Sequence, residues 1–180
     1  MDEEIKQKVF QQVMDIFVIP EIEQRRKEGN IKDSTVISKM QIVFSLDKGK
    51  NGVRLNEEFK AIVKVKINKS KNKGEAIYES DVDAIEDIEL TDEDVNCGHI
   101  TLLLFKNSWI ISFDFRYNKN RVKEYIEASK EFYWAAVHSL ASSRLRPFYE
   151  NAFASAELSA ISILLTLPSK KILECRNHKI

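Results

Sequence analysis

The sequence predicts an α+β fold: an N-terminal helix, an antiparallel β-meander of about five strands, then a C-terminal helical hairpin followed by a third helix. Three observations carry this prediction. Apolar residues recur at helical steps in residues 5–17 and again in 122–140. Between these segments the pattern changes to strict alternation, the signature of strands with one buried face. Finally, Pro147 stands at the start of a second long apolar run, where a missing N–H costs a helix nothing. Residues 1–118 form the helix-and-sheet part and 119–180 the helical part, the two expected to pack as one compact unit.

Taken in order, Ile5, Val9, Val13, Ile16 and Phe17 fall on one helical face, with Glu3 and Glu4 in a first turn that favours negative charge. Pro20 ends or kinks this helix, and Gly29-Asn30 stops any continuation. Met40, Ile42, Phe44 and Leu46 then alternate, and residues 47–52 (DKGKNG) supply turn chemistry for a hairpin. A further strand over 59–67 has an apolar face and a face rich in lysine, and 82–90 reads as a weaker strand. The runs HITLLLFK and WIISFDFRY, joined through Asn107-Ser108, make the strongest hairpin in the chain.

The helices follow directly. RVKEYIEASKEFYWAAVHSLASSR carries Val122, Ile126, Tyr133, Ala136 and Leu140 as a stripe, and PFYENAFASAELSAISILLTL is rich in small residues that let a neighbour approach closely. As the only large apolar surface, this hairpin is expected to cover the sheet or to form a bundle attached to it. Ser169 reads as the N-cap of a third helix over 169–180. With no stop signal after it, the sequence reads as shorter than the full domain.

The 28 basic and 28 acidic residues cancel, so no global field points to nucleic acid. Charge is nevertheless segregated. No Lys or Arg occurs between Gly74 and Phe105, whereas carboxylates crowd residues 75–94. The expected partner of that block is the lysine face of residues 60–66, through cross-strand pairs. Cys97 and Cys175 are far apart and lack C-x-x-C spacing, which points to reduced thiols and a cytoplasmic protein. The N-terminus does not read as a secretory signal, and the apolar window 152–167 is too short and too interrupted for a membrane span.

No complete catalytic or metal motif appears, and no cofactor is predicted. His138 reads as a structural helix histidine, and His99 is a weak ligand candidate beside Asp92 and Asp94, with no second His at ligand spacing. Cys97 is a lone thiol. The aromatics of WIISFDFRY, with Arg116, Lys119 and Arg121, would suit base stacking, yet they alternate as core residues do. Arg144 and Arg146 suit the C-terminal end of the first long helix.

In the Tyr/Trp/Ala-rich EFYWAAVHSLA, the Ala-rich ENAFASAELSAISILL and the Pro-Ser-Lys-Lys segment before CRNHKI, the C-terminal third resembles the HEPN superfamily of small helical bundles. Arg176-Asn177 looks like the opening of that family's catalytic motif; the closing His is missing, since His178 lies too close to the Arg. The resemblance implies metal-independent RNA cleavage, a dimer formed through the C-terminal helices, and a link to RNA metabolism or defence. It also implies that this sequence, with the motif incomplete, is inactive. The alternative is a non-catalytic module that binds another protein through its sheet face or the acidic segment 75–94.

Overall fold

The computed structural model describes residues 3–46 and 51–169. It has the expected α+β composition: N-terminal helix, antiparallel sheets and two C-terminal helices. Among the described residues the strands number six, in two sheets. Two compact units are formed, one from residues up to Asp94 together with His99–Asp114, the other from Val95–Gly98 and the residues from Phe115 on. The loop 95–98 joins the second unit because Asn96 accepts from the Asn118 N–H through its carbonyl (3.1 Å) and from the Asn120 N–H through its side chain (3.0 Å). The turn expected over 47–52 lies largely outside the described residues, and the third helix beyond Ser169 wholly so.

In the first unit, α1 (Glu3–Val13), a π-helical turn (Met14–Val18) and α2 (Ile19–Lys27) follow one another without a break. Pro20 explains the turn. It offers no N–H to the carbonyl four residues back and its ring crowds that carbonyl, so the ladder widens locally. Ile19 N–H accordingly donates to the Met14 carbonyl, five residues away. Gly29, at φ +74°, closes α2: its N–H reaches the Arg26 carbonyl and that of Asn30 reaches Arg25, the Schellman arrangement.

Strands β1 (Lys39–Phe44), β2 (Gly52–Leu55), β5 (Gly98–Phe105) and β6 (Ser108–Asp114) form one sheet in the order β2-β1-β5-β6. Strands β3 (Ala61–Ile67) and β4 (Val82–Leu90) form the second, antiparallel, with register shifts at Lys64/Val65 and Lys66/Ile67. The chain thus leaves the first sheet after β2 and returns at β5, which period-2 patterning alone does not disclose.

One face of the four-stranded sheet carries Met40, Ile42, Leu55, Ile100 and Leu102, all buried, and Val13 and Val18 pack against them. Phe10 meets Trp109 (ring centroids 5.7 Å apart) and Phe17 meets Phe44 (5.6 Å) at the margins. The N-terminal helix therefore covers this face from within its own unit, one of the two roles the sequence reading offered the C-terminal hairpin. Its stripe of Val9, Val13 and Phe17 is wide enough for the task, and a helix that precedes a sheet can cover it as well as one that follows.

The opposite face carries buried polar residues, Gln41, His99 and Thr101, beside Val43. Gln41, fully buried, donates to the Lys60 carbonyl (2.7 Å) and accepts from Arg54 (3.0 Å). Arg54 also approaches Asp94 to 2.6 Å as an ion pair, and Asp94 is 5% exposed. The ionic contact compensates charge without the alignment of a hydrogen bond at Oδ2. On the second sheet the expected charge pairing is present: Lys64 meets Asp87 (3.5 Å) and Glu89, and Lys60 meets Glu93 (2.9 Å). Lys71 reaches Asp81 (2.9 Å), which holds that carboxyl below its usual range with help from the Tyr78 N–H.

Candidate functional site

The second unit is built on an antiparallel pair, α3 (Lys119–Ala141) and α4 (Leu145–Leu165). The turn between them repeats the Schellman arrangement: Ser143 N–H to the Leu140 carbonyl and Arg144 N–H to the Ser139 carbonyl, with Ser143 at φ +56°. Arg144 thus caps α3 through its backbone, while the Arg146 side chain pairs with Glu150 of α4 at 3.0 Å. Between the helices runs a serine seam. The Ser129 hydroxyl donates to the Ser155 carbonyl (2.9 Å) and lies 2.8 Å from the Ser159 hydroxyl. Ala136, Ser139 and Ser162 are buried along the same seam, as the small-residue spacing predicts.

Large apolar side chains consequently lie outside the seam. On α3, Ile126, Tyr133, Val137 and Leu140 follow at helical steps; on α4, Leu145, Tyr149, Phe153, Ala156, Ala160 and Ile163 do the same. Phe153 is 72% exposed, Ile163 68% and Tyr149 65%. Both stripes flank one side of the pair, because Ile126 and Ile163 line a common cavity of about 580 Å³. At that end Arg116, Lys119, Lys123 and Lys130 face a single acidic lining residue, Glu127. Tyr117, also in the lining, is 7% exposed; burial pushes its hydroxyl above the ordinary tyrosine value, with the nearby Cys97 adding to the shift.

The sequence-predicted residues fare differently. Arg176 and Asn177, the partial catalytic motif, lie outside the described residues, as does His178. His138 is exposed on α3, beside Val137, which is also exposed. His99 is 1% exposed and its Nδ1 lies 3.0 Å from the Thr101 hydroxyl; Asp94, its suggested co-ligand, is committed to Arg54. Among the described residues no group of three His, Cys, Asp or Glu side chains is placed to hold a metal ion. Trp109 is partly buried against Phe10, whereas Phe113 and Phe115 of the same run, read as core residues from their alternation, are each 51% exposed. No described helix is long and apolar enough to cross a membrane.

Two features escaped sequence reasoning. The polar layer of Gln41, Arg54 and Asp94 joins residues from distant segments, and only Gln41, a polar residue in an otherwise apolar strand, signalled it. The outward α4 stripe was read as core because periodicity identifies a face without saying what meets it. Comparisons with family models, with curated proteins and with solved structures found no match.

Proposed function

We propose that this protein is an assembly module whose C-terminal hairpin docks face to face with a second copy of itself. The observation that carries this reading is the exposed stripe of Tyr149, Phe153 and Ile163 beside Ile126, Tyr133 and Val137, a patch of a kind soluble monomers rarely leave in water. Charge supports a second copy as the occupant. Ser129 meets both Ser155 and Ser159, so Lys130 on α3 lies level with Glu157 on α4. A two-fold axis along the hairpin lays α3 of each copy over α4 of the other, and brings Lys130 to the edge that carries Glu157. Two-helix hairpins stacked in this way form a four-helix bundle, in which the outward stripes become the core. On its cysteine usage we place the protein in the cytoplasm.

Sedimentation equilibrium tests the reading. The double variant Phe153→Glu/Ile163→Glu changes two exposed side chains, so the helical circular dichroism is retained while the mass falls at micromolar concentration. A wild-type protein that stays monomeric, or a mass unchanged in the variant, ends the proposal.

A second reading draws on the basic lining of the cavity. Arg116, Lys119, Lys123 and Lys130 suit the phosphates of an RNA backbone, in keeping with the HEPN resemblance. Binding of a labelled RNA oligonucleotide is then expected to weaken linearly in log salt, with a shallower slope in Lys123→Ala/Lys130→Ala; no binding at about 50 mM salt would refute it. Cleavage by Arg176 and Asn177 rests on the resemblance alone, and the sequence is expected to be inactive. Degradation of labelled RNA that is abolished by Arg176→Ala would overturn that expectation.

A further inference from the structure

Between the two sheets of the first unit lies a second apolar space, which β4 builds through two irregularities. The β3–β4 register leaves Glu86 and Asp83 without an opposite residue, at the shifts Lys64/Val65 and Lys66/Ile67. Each extra residue resets the alternation, so Val82 (opposite Ile67) and Ile85 (opposite Val65) share a face with Ile88, opposite Val63. Val63, Val65, Val82 and Ile85, with Leu103 and Phe105 of β5, line a groove of about 360 Å³. That is within the range of small-molecule sites, about 300–1,000 Å³. Ile77 and Tyr78, 50% and 66% exposed, stand at its mouth.

Two opposite charges are held at this groove by main-chain bonds. Glu79, the one carboxylate among the lining residues, accepts the Lys106 backbone N–H. The Lys106 ammonium donates instead to the Val82 carbonyl (2.7 Å) and lies over the Phe105 ring (5.1 Å from its centroid), both residues of the lining. Among the described residues the two side chains form no ion pair with each other or with a third group. Hydrogen-bonding capacity remains on each: a carboxylate oxygen of Glu79, and two of the three N–H groups of Lys106. The other cation close by, Lys71 over the Tyr78 ring (5.9 Å), is paired with Asp81 (2.9 Å) and adds no net charge.

We infer that the groove binds a free α-amino acid with a large apolar side chain, its ammonium at Glu79 and its carboxylate at Lys106. The charges decide among apolar occupants. A fatty acid would answer Lys106 but set its carboxylate against Glu79, and an alkylamine would do the reverse; a zwitterion answers both. An α-amino acid carries its two charges on one carbon, as suits a carboxylate and an ammonium joined through the bond from the Lys106 N–H to Glu79. An internal residue of a peptide has neither charge and is disfavoured on the same ground. Burial of the side chain among Val63, Val65 and Leu103 supplies affinity, and the charges supply selectivity. The site lies wholly in the first unit and does not depend on the contact proposed for the hairpin.

Calorimetric titration with L-leucine and L-phenylalanine tests the assignment, with phenethylamine and 3-phenylpropanoate as probes that keep the ring and one charge each. At least one of the amino acids is expected to bind, and each single-charge probe to bind about tenfold more weakly or worse. Backbone amide shifts on binding are expected at Ile77, Tyr78 and Leu103. Glu79→Gln keeps an acceptor for the Lys106 N–H and Lys106→Gln a donor for the Val82 carbonyl, and both positions are exposed, so the fold is retained. The first variant is expected to lose the preference for phenylalanine over 3-phenylpropanoate, the second the preference over phenethylamine. No binding of either amino acid up to about 10 mM, or a single-charge probe that binds as tightly, overturns the proposal on the unaltered protein alone. Discrimination unchanged in either variant, or shifts confined to residues outside the groove, overturns it as well.

Discussion

Replacing Arg54 with Met removes the counter-charge of a carboxylate that has almost no access to water, and the cost follows from the geometry. Asp94 is 5% exposed and sits 2.6 Å from the guanidinium. Leaving a buried charge uncompensated costs about 3–5 kcal/mol. Gln41, fully buried, loses at the same time the donor that reaches its side-chain oxygen at 3.0 Å, worth about 1–3 kcal/mol alone. Both losses belong to one network and do not add, so a destabilisation of about 4 kcal/mol is expected. Asp94→Leu is milder, about 2 kcal/mol, because the Arg54 side chain keeps 22% exposure and can turn to solvent. The double variant Arg54→Met/Asp94→Leu removes both charges and should cost about 3 kcal/mol, less than the singles together, which leaves a coupling of about 3 kcal/mol. Urea unfolding of the four proteins, followed by Trp109 fluorescence in a Trp134→Phe background, measures the cycle. An Arg54→Met protein within about 1 kcal/mol of the parent, or additive singles, would show that the pair carries no buried charge energy.

Three further outcomes follow from local geometry. Ser143 occupies the left-handed position that closes α3, at φ +56°, so Ser143→Gly should raise stability by about 0.5–1 kcal/mol, read as a higher thermal midpoint of the helical signal. Glu58 is pushed up by burial, but the paired hydrogen bonds from Arg25 (2.7 and 2.8 Å) and the bond from the Leu55 N–H outweigh this and leave it below the ordinary carboxylate value. Its contribution is therefore complete above the unfolded value of about 4.3 and is lost as pH falls through the lower folded one; Glu58→Gln should weaken the protein at neutral pH and make its acid transition shallower. Ser129→Leu forces a larger, branched side chain into the seam that holds Ser155 and Ser159, and should cost about 1–3 kcal/mol of hairpin stability, seen in chemical denaturation of the helical signal.

What the sequence disclosed was what local periodicity can carry. The lysines of β3 alternate along their strand and carboxylates crowd residues 75–94, so a pairing of the two was expected from the sequence, and Lys64 meets Asp87 and Glu89. The serine seam was legible for the same reason, since Ser129, Ser155, Ser159 and Ser162 recur at helical steps. Partner choice between distant elements was not legible. The stripe of Val9, Val13 and Phe17 and that of Ile126, Tyr133 and Leu140 look equally able to cover a sheet, and only the folded arrangement assigns the first to Met40, Ile42 and Leu102. Division of the strands into two sheets was hidden likewise, because β2 is four residues long and β3 reads as a continuation of the same meander. For the candidate chemistry, the residues singled out, Arg176 and Asn177, lie beyond the described segment, and the residues that matter in the hairpin are ordinary apolar ones whose meaning depends on exposure.

The two units place their hydrophobic surface in opposite ways. In the first, large side chains from the N-terminal helix and four strands meet in one interior, and the polar residues on the second sheet face are joined into a network. In the second, the residues buried along the helix pair are Ser129, Ala136, Ser139, Ser162 and Leu165, which together hide little apolar area. Burial of apolar surface is the dominant favourable term in folding, and a serine seam contributes mainly closeness and hydrogen bonds. Phe153, Ile163, Tyr149 and Trp134 hold the apolar area that a helix pair of this length needs, and they hold it on the outside. Their energy is released only when something covers them. A hairpin with small residues within and aromatic residues without fits the pairing with a second copy proposed for it.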